Sequence, residues 1–254
     1  MGRSETPLRI VIPAYREAPN LPSLCERIAA AVRPTGLGYR LFIVDDGSPD
    51  DTLRVLAELR GAHPISELRH PVNRGIAAAF LTGMRAAVAG AAEDDAVVVL
   101  EGDGTSDPAL IPTLAAALSG PCDAAIASRY APGGAYLRFP CKRLFLSHAA
   151  NALLRWVCRM PGVRDYTIFF RAYRAGPLRR ALAAYGDRFT SVGGFACNAE
   201  MLLRLAPFIR AVREIPLVYD YGLRKGPSSM RIATNILSYG ALFRVFFCER
   251  RAAP

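Results

Sequence analysis

The sequence contains no unbroken apolar run near the ~20 residues that a membrane-crossing helix needs, so no bilayer span is expected. Its opening, MGRSETPLRIVIP, lacks the charged-then-apolar build of a secretory signal and goes straight into a strand-like run. The six cysteines, Cys25, Cys122, Cys141, Cys158, Cys197 and Cys248, are scattered, with no CxxC pair and no metal-ligand spacing. They read as reduced thiols in a cytoplasmic protein. Also missing are a helix-turn-helix signal, an RNP-type aromatic pattern and a zinc finger, which leaves the net charge of +10 without a nucleic-acid partner.

What is present is enough for one large core. A chain of 254 residues with 52% hydrophobic content fits a single α/β domain. Its charge is unevenly divided: up to residue 128 there are 11 Lys+Arg against 16 Asp+Glu, and from Arg129 onward 21 against 6. The second part should therefore face something anionic, such as an anionic membrane surface or a phosphorylated substrate lying in one.

Strand and helix patterns alternate over the first ~130 residues, the mark of a doubly wound sheet. Strands are expected at 8–13, 39–44, 65–69, 96–100 and 123–127, with helices at 20–32, 51–60, 75–88 and 107–118 between them. Further on, an amphipathic helix is expected over 145–159 and strands at 169–174 and 211–218.

The stretch VVLEGDGTSDP, 98–108, is where chemistry concentrates. On an extended backbone Glu101 and Asp103 share one side, roughly 6 to 7 Å apart, close enough to share a divalent cation. Gly102 and Gly104 let the chain turn, and Asp107-Pro108 reads as an N-cap followed by proline at the first helical position. The carboxyl end of a parallel strand is where an open α/β sheet places its ligands.

The ordered set VIPAYRE (11–17), VDDGSPDDT (44–52), NRG (73–75) with Gly83, LEGDGTSDP (100–108), SRYAPGG (128–134) and RKGPSSM (224–230) resembles family-2 glycosyltransferases of the GT-A fold. In pattern it is similar to the dolichol-phosphate or polyprenyl-phosphate mannosyltransferase type. The resemblance implies a Rossmann-like, doubly wound mixed sheet in one domain over 5–230. Residues 5–128 would form the nucleotide-sugar half and 129–230 the acceptor half, with a C-terminal amphipathic helix over 231–254.

It also implies roles. Pro13, Tyr15, Glu17, Val44, Asp45, Asp46 and Gly102 would border the nucleotide, and Arg224 and Lys225 would close over the donor diphosphate. Glu101, Asp103 and Thr105 would hold Mg²⁺ or Mn²⁺, hard cations suited to oxygen ligands. Arg129, Arg143 and Ser147 would contact the acceptor phosphate, and Asp165 falls at a site position. The implied reaction is an inverting transfer of mannose or glucose from a GDP- or UDP-sugar to a polyprenyl or dolichyl phosphate, by a protein peripheral to the inner face of the membrane.

Three departures stand out. The family's usual Asp is Glu101 here, Ile168-Phe169-Phe170 replaces a small turn, and Ser228-Ser229 replaces a Ser-Lys. Two rival readings follow. A hydroxyl acceptor would need a carboxylate base, Asp165 or Glu200; a non-catalytic nucleotide-sugar or membrane-binding module would keep the fold alone. Gly133-Gly134 mark 129–143 as a lid. Trp156 between Arg155 and Arg159, and the apolar, arginine-flanked segment 232–251, read as helices at a membrane surface.

Overall fold

The computed structural model of the protein describes residues 8–223 and 237–245. The strand signals expected to residue 128 form elements at the anticipated places: β1 (Leu8–Ala14), β2 (Tyr39–Asp45), β3 (Ile65–Arg69), β4 (Ala96–Val99) and β5 (Cys122–Ser128). Helices α1 (Leu21–Val32), α2 (Thr52–Leu59), α3 (Ile76–Val88) and α4 (Ile111–Ala117) lie between them. Asp107 caps the turn ahead of α4, its carboxylate accepting from the Ala109 N–H at 3.1 Å. That turn, Pro108–Leu110, is wound as a 3₁₀ helix.

The rest of the described chain adds β6 (Ala135–Leu137), α5 (Cys141–Cys158), β7 (Arg171–Arg174), α6 (Ala175–Tyr185), α7 (Cys197–Leu205), β8 (Ala211–Pro216) and β9 (Val218–Asp220). Among the described residues the main sheet has the order β3-β2-β1-β4-β7-β5-β8, parallel except for β7, which runs antiparallel between β4 and β5. A strand from the second half of the chain thus completes the middle of the sheet. Side chains alternate across it: Ile10 and Ile12 of β1 join the core under α1, α2 and α4, whereas Val11 faces the core under α3, α6 and one side of α7. Ile168, Phe169 and Phe170 are buried on both sides, with Phe169 stacked on Phe80 at 4.6 Å between ring centres. The bulky segment is core rather than pocket wall.

Several expectations are corrected. β4 ends at Val99: Leu100 still donates to the Val11 carbonyl, but Glu101 and Asp103 lie in the turn beyond. The expected strand at 169–174 begins only at Arg171, after the two core phenylalanines. The run 211–218 divides at Leu217, which donates to the Ser128 carbonyl and accepts from the Ala135 N–H; the chain leaves the main sheet there to pair β9 with β6. Residues 129–143, read as a lid, are tied by that parallel pair. α5 starts at Cys141, a turn earlier than expected, and α6 answers no expectation at all. In the helix at 237–245 Leu242 is buried, and Tyr239, Phe243 and Val245 pack on the core. This described part of the C-terminal segment therefore docks on the protein; the remainder lies outside the described residues.

α3 sits so close to the sheet that a methyl group at Gly83 would come within 2.4 Å of Val11 Cγ1 and 3.1 Å of Val44 Cγ2. Both valines are buried and β-branched, with no room to retreat. Gly83→Ala is therefore expected to cost about 1–3 kcal/mol by overpacking, read as a lower urea midpoint. An unchanged midpoint would mean that α3 backs away freely.

Candidate active site

The loops that follow β1, β2, β4 and β5 emerge at one edge of the sheet, and the antiparallel β7 starts there too. Two of them are zipped together. The Arg16 N–H donates to Ser48 Oγ at 3.0 Å, the Glu17 N–H to Thr52 Oγ1 at 3.1 Å, and the Asp46 N–H to the Ala14 carbonyl at 2.8 Å. Tyr15 is partly exposed beneath the Arg16 guanidinium, 5.3 Å from its ring centre, and Glu17 accepts from Asn20 Nδ2 at 2.6 Å.

The adjacent aspartates differ in what they do. Asp46 accepts from the Arg74 and Gly75 N–H groups at 2.9 and 2.8 Å and pairs with His70 Nδ1 at 2.6 Å. It anchors the 73–75 turn at the start of α3. Asp45 accepts from the Ser48 N–H, while its Oδ2 is buried with no hydrogen-bond partner. An orphaned buried acceptor carries a desolvation cost that a donor group of a bound ligand would relieve. Val44 is buried toward Gly83, so its side chain serves packing.

The carboxylate turn is built to close tolerances. A methyl group on Gly102 would meet the Pro13 carbonyl oxygen at 2.8 Å, so glycine lets this turn lie against the end of β1. Gly104 has φ +74°, and Arg27 holds its carbonyl at 3.0 Å from behind. Thr105 donates to Asp103 Oδ1 through its N–H (3.1 Å) and hydroxyl (2.6 Å), and the same hydroxyl lies 3.0 Å from that of Tyr219 on β9. Ser106 donates to Glu101 at 3.0 Å. Burial and the neighbouring Asp103 carboxylate push the Glu101 carboxyl up to about 7.

Two carboxylates sharing one turn can relieve their repulsion with a proton or with a cation. Among the described residues no third histidine, cysteine or carboxylate completes a metal cluster. The donor set fits a hard divalent ion held by one or two carboxylates that fills its remaining positions with phosphate and water oxygens.

Arg129 follows β5 directly and meets Asp165 in a bidentate pair, Nε to Oδ2 at 2.8 Å and Nη2 to Oδ1 at 2.7 Å, both residues buried. Burial opposes ionisation of Asp165. The Arg129 guanidinium, with the backbone N–H groups of Arg129 and Thr167, nevertheless holds its carboxyl below the usual range. The rings of Tyr136, Tyr219 and Tyr130 lie 5.1, 5.6 and 5.9 Å from the guanidinium carbon, within cation–π reach. Glu200, the other acidic residue of the second half singled out in the sequence, is buried on α7 and accepts from Arg204, Ser191 and the Val192 N–H.

α5 brings the remaining acceptor-side residues to this edge. Arg143 donates to the Tyr221 hydroxyl at 2.8 Å, and Ser147 lies 2.8 Å from the Tyr136 hydroxyl and 3.3 Å from that of Tyr130. Asn151, fully buried one turn on, donates to Thr167 Oγ1 at 2.8 Å and accepts from the Tyr166 N–H at 2.8 Å. The structure thus gathers Arg129, Arg143, Ser147 and Asp165 on one side of the carboxylate turn. Arg224 and Lys225 lie outside the described residues.

Sequence reasoning did not single out Tyr136, Asn151, Arg171 or Tyr219. Arg171 is fully buried, donates to the carbonyls of Tyr166 and Asn198, and so ties the Asp165 loop to α7. Tyr136, Asn151 and Arg171 lie in stretches that attracted attention for other reasons; Tyr219 meets Thr105 across 114 positions, with no local signal.

Residues 9–182 match the model of the family described as glycosyl transferase family 2. The chain belongs to this family. The glycosyltransferase is 33% identical over 214 residues to a polyprenol monophosphomannose synthase of Mycolicibacterium smegmatis, a match covering 83% of this chain and 76% of that protein. It is 34% identical over 156 residues to a dolichol-phosphate mannosyltransferase of Pyrococcus furiosus, covering 61% of this chain and 42% of that longer protein. Among solved structures, glucosyl-3-phosphoglycerate synthase from Mycobacterium tuberculosis in complex with Mn²⁺, UDP and glucosyl-3-phosphoglycerate superposes with a TM-score of 0.62 at 20% identity, over 92% of this chain and 76% of that one. The glycosyltransferase therefore has the GT-A fold.

Two variants test this geometry. Asp165→Asn should destabilise the glycosyltransferase by about 3–5 kcal/mol, because it leaves the buried Arg129 charge uncompensated. In the wild type the contribution of Asp165, whose folded pKa is lowered, is complete above pH ~4 and lost as pH falls through that lowered value. The gap between wild type and Asp165→Asn in denaturant midpoint should accordingly close in acid. For Glu101 the sign is opposite: with its folded pKa raised to about 7, it costs the metal-free protein stability as pH rises from ~4.5 to about 7, and the loss is complete above that. Glu101→Gln should raise the melting temperature of the EDTA-treated protein at pH 8 and abolish the further rise on adding Mn²⁺.

Proposed function

We propose that this glycosyltransferase moves a hexose, mannose or glucose, from a GDP- or UDP-sugar to a polyprenyl phosphate with inversion, at the cytoplasmic membrane surface and with Mg²⁺ or Mn²⁺ as cofactor. The relatives named above as acting on polyprenol and dolichol phosphate support this acceptor class, and the neighbour holding Mn²⁺ with UDP supports the donor class.

The observation that carries the reading is how the carboxylates are used. A hydroxyl acceptor needs a base. Both residues that could supply one, Asp165 and Glu200, are buried as ion-pair partners of Arg129 and Arg204. A phosphate monoester is already ionised near neutral pH and needs positioning and charge neutralisation instead. Arg143 and Ser147 offer that positioning from α5, and arginine keeps its charge and grips phosphate oxygens with a planar fork.

On the donor side, the loops holding Tyr15, Glu17 and Asp45 take the nucleotide, with the buried, unpartnered Asp45 Oδ2 as an acceptor for it. Glu101 and Asp103 hold the cation, and Thr105 and Ser106 fix their orientation. When bound, the cation neutralises charge developing on the departing nucleoside diphosphate.

The test is turnover of polyprenyl phosphate in detergent with GDP-mannose and UDP-glucose as donors. EDTA should abolish transfer and Mn²⁺ restore it, which the non-catalytic module cannot do. Arg143→Ala should lower turnover on the order of 10²-fold, the usual cost of removing one charge-stabilising donor. Full activity of that variant, or transfer to a sugar hydroxyl instead, would overturn the acceptor assignment.

A further inference from the structure

The Thr105 hydroxyl lies 2.6 Å from Asp103 Oδ1 and 3.0 Å from the Tyr219 hydroxyl, and all three residues are buried. A hydroxyl has a single hydrogen to give, and an ionised carboxylate only accepts. The shorter, charge-assisted bond to Asp103 takes the Thr105 hydrogen, so the 3.0 Å contact is donated by Tyr219. The order is Tyr219 to Thr105 to Asp103, a chain in which each bond polarises the next. With the Thr105 N–H also on Oδ1 at 3.1 Å, the chain fixes one oxygen of Asp103 and with it the orientation of the carboxylate.

Tyr219 is itself held firmly. The pairing of β6 with β9 sets it beside Tyr136, and its ring packs on those of Tyr136 and Phe139 at 6.4 and 5.9 Å between centres, 5.6 Å from the Arg129 guanidinium carbon. All of these contacts are made by the ring, and a phenylalanine would make them equally well. The hydroxyl is the part that reaches the carboxylate turn. Tyr219 also lies beyond residues 9–182, the stretch that matches the family model, so this support comes from a part of the chain that the match does not cover.

We infer that Tyr219 is a positioning residue for the cation site: its hydroxyl orients Thr105, which holds Asp103 in place for a divalent ion. The inference rests on the reading of the carboxylate turn as the seat of Mg²⁺ or Mn²⁺, and it adds that the acceptor half of the chain completes that seat. Groups behind a metal ligand set its orientation ahead of binding, and their loss weakens metal affinity by roughly 10- to 100-fold.

Mn²⁺ binding can be read from the loss of the free-ion electron paramagnetic resonance signal, with GDP or UDP present. Tyr219→Phe should weaken it by about tenfold, the lower end of that range, because the lost hydroxyl acts through Thr105. Its melting temperature in EDTA should match the wild type, since the ring remains. In transfer assays saturating Mn²⁺ should restore kcat, the Mn²⁺ concentration giving half the maximal rate should rise by about the same factor, and KM for polyprenyl phosphate should stay put. A double-mutant cycle fixes the route: in Thr105→Ala, which removes the hydroxyl between the two residues, adding Tyr219→Phe should cost nothing further. Additive losses in that cycle would overturn the inference, as would a Tyr219→Phe protein whose change is a lower melting temperature in EDTA with Mn²⁺ affinity intact. Mn²⁺ held equally well by wild type and Tyr219→Phe sinks this inference alone; a wild type that binds no Mn²⁺ removes the cation reading and the inference with it.

Discussion

The buried pair of Arg129 and Asp165 is the contact on which the rest of the site depends. It joins the end of β5 to the loop ahead of β7, and through Thr167 and Asn151 it fixes the inner face of α5. A buried guanidinium is tolerated only with a close counter-charge and its hydrogen bonds satisfied, and Asp165 supplies both. The consequence reaches the donor side. Arg129 lies near Glu101 and favours its ionisation, but burial and the Asp103 carboxylate outweigh that attraction. In the proposed reading the repulsion between Glu101 and Asp103 is the electrostatic demand that a divalent ion would meet.

The tyrosines link these two charge systems. Tyr136 and Tyr219 stack around Arg129 while Tyr219 also reaches Thr105, which orients Asp103. Tyr136 in turn contacts Ser147. Because β6 and β9 are paired, the two rings are held as one unit between carboxylate turn and acceptor-side helix. A hydroxyl on an aromatic ring suits this place, since the ring shields the cation from water and the polar tip remains to orient a neighbour.

Much of the donor half was legible in the sequence because its information is local. Apolar runs ended at Asp45 and Glu101, glycine opened α3, and Asp107 capped the next turn, each within a few residues of the feature it specified. The carboxylates were found for the same reason, although strand alternation placed them in the wrong local geometry: pairing with β1 stops after Leu100, and two glycines turn the chain around Asp103. The acceptor half resisted because its determinants are distant pairs. Nothing near Leu217 announces that the chain will leave the sheet to meet Ala135, and Asp165 looks like a free base until Arg129 is placed on it. Ile168-Phe169-Phe170 reads as a disturbed pocket in one dimension and as core in three, since Phe80 waits on α3 to receive Phe169.

The same division between local and distant determinants shows in α5. Two of its inner residues, Ser147 and Asn151, are polar where a core helix is ordinarily apolar; they contact hydroxyls and a backbone N–H, so they cost little to bury. Its opposite face exposes Phe145, Leu153 and Trp156. For a helix bounded by water such an inversion is unfavourable, because Phe145 and Trp156 each lose the gain of burial.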